Sequence, residues 1–307
     1  MSRHHIWSET VPVLWIVTTL VAAAAQTARN AMQNRLTAEL GTLGATQVRF
    51  IYGLPFSLVF LAVASGVTGA GVPDSNGAFL MFTAVGALAQ IIATALLLAA
   101  MRERSFSVAT AFTKTEAVQV AIFGLIVLGD EISLARVVAI LIATAGVFLI
   151  AVKRDQHWTA GSLRPALYGV ASGGLYAIAA VGFRGGILSL DGGDFYMRAT
   201  TTLVWSLALQ SATLGLWMLV YRRAALFKSF TLWRQSLFAG FMGAFASQFW
   251  FLGFSLTSAA NVRTLGLIEV IFAQIVSRRV FSQVASVREL AGMALVVIGV
   301  AVLLAAL

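Results

Sequence analysis

Long uncharged stretches follow one another along almost the whole chain. The apolar residues are continuous and rich in Leu and Ala, and they lack the regular alternation with polar residues that membrane β-strands show. A helix needs roughly 20 such residues to cross about 30 Å of hydrocarbon. The pattern predicts an all-α integral membrane protein with ten spans, at about residues 11–33, 50–73, 75–101, 105–128, 132–152, 165–189, 199–221, 235–262, 256–280 and 284–307.

Polar side chains inside these spans are the exceptions that indicate a function. The stretch FTKTEAVQV places Lys114 and Glu116 near the middle of the fourth span, and Glu269 lies near the middle of the ninth. An ionisable group there costs about 2.5–3.5 kcal/mol on insertion scales, so it should face the protein interior or a water-filled cavity. We predict a central cavity with these candidate residues: Gln26, Arg29, Asn30, Gln90, Lys114, Glu116, Tyr176, Arg184, Gln248, Trp250, Asn261, Arg263 and Glu269.

Two roles stay open for the charged members of this set. Lys114 and Glu116 are about 200° apart on a regular helix, so each needs a partner elsewhere. Lys114 is either a counter-ion for a substrate carboxylate, which favours an anionic or zwitterionic substrate, or half of a buried ion pair with another span. Glu116 and Glu269 are either structural or take up and release protons. Arg49 and Arg198, near predicted span starts, are expected to anchor helix ends at the headgroups.

The rarer residues predict one break in a helix and exclude several classes of function. Pro55 predicts a kink in the second span. The chain has no cysteine, and its three histidines (His4, His5 and His157) lie outside the spans, so we expect no disulfide and no metal site. No phosphate-binding glycine loop or nucleophile motif is present, so we expect no catalytic residue, no nucleotide and no other cofactor. Charged residues make up 11% of the chain against about a quarter in soluble domains, which excludes an ordinary soluble protein.

The net charge of +9 is explained by where the basic residues lie. Thirteen of the twenty-one fall in or beside alternate loops that would share one face: Arg35, Arg102, Arg104, Lys153, Arg154, Arg164, Arg222, Arg223, Lys228, Arg234, Arg278, Arg279 and Arg288. The other face has Arg3 and Arg136 against the acids Glu9, Asp74, Asp130, Glu131, Asp191 and Asp194. Because basic short loops stay in the cytoplasm, this predicts both termini outside and gives no reason to expect nucleic-acid binding.

The two halves of the chain resemble each other. A shift of 153 residues places Pro12 on Pro165, Glu116 on Glu269 and Gly146 on Gly299. We therefore predict two repeats of five helices, residues 1–154 and 155–307. Five is an odd number, so the second repeat would be inverted in the membrane, an architecture that recurs among secondary transporters.

The segments KTEAVQVAIFGLIVLGDEIS and GLIEVIFAQIVSRRVFSQVAS, each followed by a glycine-containing helix, resemble the two halves of the drug/metabolite transporter superfamily, EamA type. The resemblance implies ten helices in two inverted repeats and a transporter, not an enzyme, in a family that includes exporters of amino acids and other metabolites. Glu116 and Glu269 match the glutamates of its Glu-Pro pairs, but Ala117 and Val270 replace the prolines. Asp130–Glu131 resembles the family's Gly-Glu signature in the first half, and Ser282–Gln283 replaces it in the second.

We therefore predict a secondary active transporter, an exporter or exchanger of small organic metabolites such as amino acids or related anionic and zwitterionic compounds. It would work by alternating access in a bacterial inner membrane, with the substrate and the bilayer as partners and with proton coupling as a hypothesis. The alternatives are a membrane-embedded lipid-modifying enzyme, for which Asp130, Glu131, Asp191 and Asp194 are the available acids, and a non-transporting scaffold.

Overall fold

The computed structural model describes residues 4–103, 112–151, 160–272, 274–275 and 286–306, and these ranges are almost entirely helical. The helices are α1 His4–Ile51, α2 Leu54–Thr68, α3 Gly77–Glu103, α4 Glu116–Leu128, α5 Leu134–Ala151, α6 Ala160–Ser189, α7 Phe195–Tyr221, α8 Arg223–Thr231, α9 Trp233–Leu256, α10 Ala259–Leu265 and α11 Val287–Ala305, with a 3₁₀ turn at Gly266–Ile268.

Within the described residues, six segments are long and apolar enough to cross a membrane: Arg35–Thr68, Gly77–Met101, Ala166–Ser189, Phe195–Tyr221, Trp233–Leu256 and Val287–Ala305. Two shorter apolar helices, Glu116–Leu128 and Leu134–Ile150, lie beside them. Large apolar side chains such as Val67, Ile126 and Leu216 face outward, while arginines, a lysine and glutamates are buried inside. This inside-out distribution of polarity is the one that a lipid surrounding requires.

The first long helix is broken twice, and the second break is close to where Pro55 predicted one. At Gly41 the backbone adopts φ 70° and ψ 174°, a non-helical conformation open to glycine, so two helical stretches of α1 meet there at a kink. Helix α1 stops at Ile51, and α2 starts at Leu54 with Pro55 in its first turn. The second span therefore begins well before Phe50, and Arg49 lies inside it, which corrects the expectation that Arg49 anchors a helix end at the headgroups.

Three helix pairs make the most extensive contacts, α3 with α6, α1 with α9, and α5 with α11. Small residues allow these close approaches. A Cβ atom on Gly182 of α6 would lie 2.8 Å from the carbonyl oxygen of Phe82 on α3, and one on Gly146 of α5 would lie 2.6 Å from that of Gly292 on α11. Helices in lipid associate through such backbone contacts, because apolar burial alone does not drive them together.

Polar contacts join residues of different loops and helix ends. At one end of the bundle, Asn76 donates to the Ser189 carbonyl (2.5 Å), and Arg184 pairs with Asp130 (3.4 Å). At the other end, Lys228 pairs with Glu39 (3.4 Å). Several residues used in the sequence analysis lie outside the described residues, namely Arg3, Arg104, Lys153, Arg154, His157, Arg278, Arg279, Ser282–Gln283 and the predicted repeat boundary at 154/155.

Candidate functional site

A cavity in the centre of the bundle is formed by α1, α3, α6, α9 and α10 and by the turn that precedes α4. We call it the central cavity. Nine of the thirteen predicted residues line it: Gln26, Arg29, Asn30, Gln90, Lys114, Glu116, Tyr176, Trp250 and Arg263. Seven lining residues are additional: Arg49, Leu97, Thr113, Phe183, Ser247, Phe251 and Phe254. Counted with its opening, the cavity encloses about 530 Å³ between atoms, but its free interior has room for only about one or two water molecules.

An irregular turn brings Lys114 and Glu116 to the same cavity. Lys114 and Thr115 form a turn between short helical stretches, and the bonds Ala117 N–H to Lys114 O (3.3 Å) and Val118 N–H to Thr115 O (3.1 Å) span three residues, not four. Glycine on α6 makes space for this turn, since a Cβ on Gly173 would lie 2.7 Å from the Thr113 carbonyl oxygen. The regular-helix separation of about 200° therefore does not apply here.

Glu269 follows a similar distortion in the second half, the 3₁₀ turn Gly266–Ile268. Gly266 is required at this place because a Cβ would lie 2.5 Å from the Trp250 indole ring. Both buried glutamates thus stand directly after a break in helical regularity, although neither is followed by proline.

Lys114 is paired with Glu269, so it has the geometry of a buried ion pair and not that of a free counter-ion for a substrate. The Lys114 Nζ lies 2.6 Å from Glu269 Oε2. The same carboxylate accepts from Gln26 Nε2 (3.0 Å) and Asn30 Nδ2 (3.1 Å). Glu269 itself does not line the central cavity but stands behind these three residues, and its charge is compensated by one cation and two amide donors.

Arg263 and Glu116 form the second ion pair across the two halves, with Nε 2.8 Å from Oε1. This N–H is not directed at the oxygen, so the contact is mainly electrostatic. The Arg263 guanidinium also lies over the Trp250 ring, 4.5 Å from its centroid, and near Phe254 at 5.3 Å. Trp250 in turn donates to Gln26 Oε1 (2.9 Å), and Gln26 donates to Glu269, so these two side chains connect the two ion pairs.

Arg29 and Arg49 are the remaining buried cations of the cavity, with 2% and 3% of their surfaces exposed. Arg29 donates from Nε (3.3 Å) and Nη2 (2.7 Å) to Asn30 Oδ1. Arg49 donates to Thr94 Oγ1 (3.2 Å) and Ser247 Oγ (3.4 Å). In the described part of the chain, neither guanidinium has a carboxylate within 4.0 Å.

Three predicted residues lie away from the cavity. Arg184 donates to the Phe254 and Thr257 carbonyls as well as pairing with Asp130, near one end of the bundle. Gln248 donates to Thr200 Oγ1 on α7 (2.9 Å), and Asn261 donates to Thr257 Oγ1 (3.0 Å) at the start of α10.

Of the additional polar residues, the sequence could have indicated Arg49 but not Ser247. Residues 40–73 contain one charge, Arg49, so a span begun at residue 40 would have placed this arginine inside it. Ser247 differs from Gln248 by one position, about 100° of helix rotation, which the sequence pattern of α9 does not fix.

A bundle of long apolar helices with buried charges around an enclosed cavity defines an integral multi-pass membrane protein. Residues 13–152 match the model of the EamA-like transporter family. The resemblance to EamA-type transporters is thereby confirmed for this part of the chain.

Structural comparison extends the likeness of fold to nearly the whole chain. A solved structure, titled only as the crystal structure of a protein, is similar over 95% of each chain, with a TM-score of 0.68 and 14% sequence identity. At this identity the similarity concerns the fold alone. No curated protein matches the chain.

Proposed function

We propose that this protein is a secondary active transporter that exports or exchanges small organic metabolites by alternating access to the central cavity. The observation that carries the proposal is the pair of buried ion pairs, Lys114 with Glu269 and Arg263 with Glu116. Each joins the two halves of the chain at a break in helical regularity. Discontinuous helices at an intramembrane site are a recurring device of secondary transporters, because they place charges where a substrate or coupling ion can bind.

We further propose that the chain consists of two inverted five-helix repeats, residues 1–154 and 155–307, with 112–128 and 259–275 in the fourth and ninth of ten spans. A two-fold axis makes each contact occur twice with the halves exchanged. Gly146 approaches Gly292 and Val296, while Gly299 approaches Ala139 and Ala143, and both sets correspond under the shift of 153 residues. The extensive pairs α3 with α6 and α9 with α1 are related in the same way.

The narrowness of the cavity supports movement between two forms. With space for about one or two water molecules, the interior does not admit a metabolite as it stands. The two halves must separate along one side for a substrate to enter, and the ion pairs that join them must rearrange. A substrate that compensates these charges binds the rearranged form better and shifts the equilibrium towards it.

Proton coupling follows as part of this proposal. When Glu116 or Glu269 loses its cation during the rearrangement, the carboxylate is left in a poorly solvated interior, and protonation relieves this cost. Two of the four acids that a lipid-modifying enzyme could use are engaged otherwise, Asp130 by Arg184 and Asp191 by Asn76, which favours the transporter. We propose the bacterial inner membrane as its location.

Metabolite profiling tests the proposal. Cells that produce the wild type should show a changed ratio of outside to inside concentration for a restricted group of metabolites, compared with cells carrying an empty vector. Glu116→Gln or Glu269→Gln, produced at equal membrane abundance, should reduce that change and flatten its dependence on external pH. Full activity and an unchanged pH profile in both variants would make the glutamates structural and end the coupling hypothesis. No metabolite change in the wild type would contradict transport.

A further inference from the structure

Arg29 and Arg49 together form a group of buried hydrogen-bond donors that the ion pairs do not use. Arg29 Nη1 and Arg49 Nε are fully buried and have no partner among the described residues. The two side chains meet beside Gly243 on α9, where a Cβ would lie 3.1 Å from Arg49 Cγ and 3.6 Å from Arg29 Cδ. Two arginine side chains therefore lie close together in an interior where, among the described residues, no carboxylate lies within 4.0 Å of either guanidinium.

The charge of the central cavity shows the same imbalance. The cations that line it are Arg29, Arg49, Lys114 and Arg263. The anions are Glu116 in the lining and Glu269 directly behind it, so four positive and two negative charges leave a net charge of +2 at their ordinary ionisation states. Lys114 and Arg263 are compensated, and the excess lies at Arg29 and Arg49. Burying uncompensated charges is costly, so such an arrangement indicates a ligand of opposite charge.

We propose that Arg29 and Arg49 are the binding site for the anionic group of the substrate, and that this substrate carries two negative charges, as a dicarboxylate or a phosphate ester does. The role of this arginine site in transport rests on the function proposed above. Guanidiniums suit this task because their fixed fork of N–H groups matches the paired oxygens of carboxylate and phosphate. Hydroxyl groups complete the site, with Thr94 between Arg49 and the Tyr176 hydroxyl and Ser247 on the other side of Arg49.

The two arginines, and not Lys114, are therefore the expected counter-ions of the substrate anion. Lys114 already has the carboxylate of Glu269 at 2.6 Å, whereas the arginines have only neutral acceptors. An arginine retained solely to stabilise the fold would be expected to have an acidic partner in such a poorly solvated place. The arrangement instead sacrifices stability of the empty form for binding, which is typical of functional sites.

Thermal unfolding of the full chain, purified in detergent at matched ionic strength, tests the proposal. At slightly alkaline pH the probes are succinate, glycerol phosphate and inorganic phosphate as dianions, with acetate as the monoanion. A ligand that binds only the folded state stabilises it by RT ln(1 + [L]/Kd), so the unfolding temperature rises with ligand concentration and affinity. We expect at least one dianion to raise it and acetate to do so much less. The response to succinate against the phosphates distinguishes a dicarboxylate from a phosphate ester.

Substitution of each arginine separates binding from support of the fold. Arg29→Gln and Arg49→Gln should weaken dianion binding by about 10- to 100-fold, the effect of losing charge-assisted hydrogen bonds, while the unfolding temperature without ligand stays the same or rises. Arg234→Gln, at an exposed arginine over Trp233, is the matched control and should change neither quantity. Arg49→Lys keeps the charge without the fork and should bind with intermediate affinity.

Three results would overturn the site: no stabilisation of the wild type by any dianion, equal stabilisation by acetate, or glutamine variants that lose stability without ligand while keeping their response to it. Because this measurement records binding and not flux, its failure differs from failure of the transport proposal. If dianions stabilised the protein but were not exchanged in proteoliposomes, the binding site would stand and the transport proposal would fail. If only neutral metabolites were exchanged and no dianion stabilised the protein, the transport proposal would stand and the dianion site would fail.

Discussion

At the scale of single residues, the buried ion pairs decide what each charge can do. Glu269 is 3% exposed and accepts from Lys114, Gln26 and Asn30, so removal of the lysine leaves a buried carboxylate with amide donors alone. Truncating one partner of a buried pair is far more damaging than truncating a surface pair, because the remaining charge has lost its compensation without regaining water. Lys114 offers a direct test of this difference.

Lys114→Met should lower the free energy of unfolding by about 3–5 kcal/mol, the usual cost of stranding a buried charge. Combining it with Glu269→Gln should restore much of that loss, since no unpaired charge then remains. Lys228→Met is the matched control, because Lys228 and Glu39 are about half exposed and 3.4 Å apart, and such pairs contribute about 0–1 kcal/mol.

Thermal unfolding of the detergent-solubilised variants and their abundance in the membrane measure the effect. If Lys114→Met kept normal abundance and stability but lost dianion binding, Lys114 would belong to the substrate site after all, and the ion pair would carry little of the stability.

At the scale of the elements, breaks and close crossings shape the helices around the cavity. The break between α1 and α2 lies against α9, where a Cβ on Gly240 would stand 2.4 Å from the Tyr52 Cβ and 2.6 Å from its carbonyl carbon. Backbone atoms cannot move aside as the end of a flexible side chain can, so this crossing depends on glycine. The position of Arg49, three residues before Tyr52, depends on it as well.

Gly240→Ala should therefore destabilise the protein by about 1–3 kcal/mol, the range for overpacking a tight interior. Gly66→Ala is the control, because Gly66 lies in α2 with nothing within 4 Å of an added Cβ, and alanine there should be neutral or stabilise by up to about 1 kcal/mol through helix propensity. The unfolding temperatures of Gly240→Ala and Gly66→Ala measure this difference. Equal values would show that α9 can shift to accept the methyl group.

At the scale of the whole molecule, charge separates the two ends of the bundle. The loop between α6 and α7 carries Asp191 and Asp194, and the segment between α7 and α9 carries Arg222, Arg223 and Lys228. Loops rich in Lys and Arg remain on the cytoplasmic side during insertion, which orients the bundle. The absence of cysteine from the chain makes each introduced cysteine a unique label.

We expect Arg223→Cys to resist a membrane-impermeant thiol reagent in intact cells and to react after the cells are opened, whereas Asp191→Cys reacts in both. Both positions are at loop or helix ends exposed in the fold, so accessibility depends on the side of the membrane. Labelling of Arg223→Cys alone in intact cells would reverse the orientation and place the acidic end in the cytoplasm.

The sequence by itself determined the membrane class, most of the helices and the polar face of α1. These follow from local properties, because the bilayer admits only long apolar helices and because Gln26, Arg29 and Asn30 recur at helical spacing. The tertiary structure alone decided that Lys114 pairs with Glu269, that Ser247 and not Gln248 faces the cavity, and that Arg49 lies buried beside Arg29. Partner choice joins residues more than 100 positions apart, and a rotation of one residue changes the direction of a side chain by about 100°. Local sequence patterns specify neither the partner of a buried charge nor the rotation of a helix about its axis, since both depend on how the helices pack against one another.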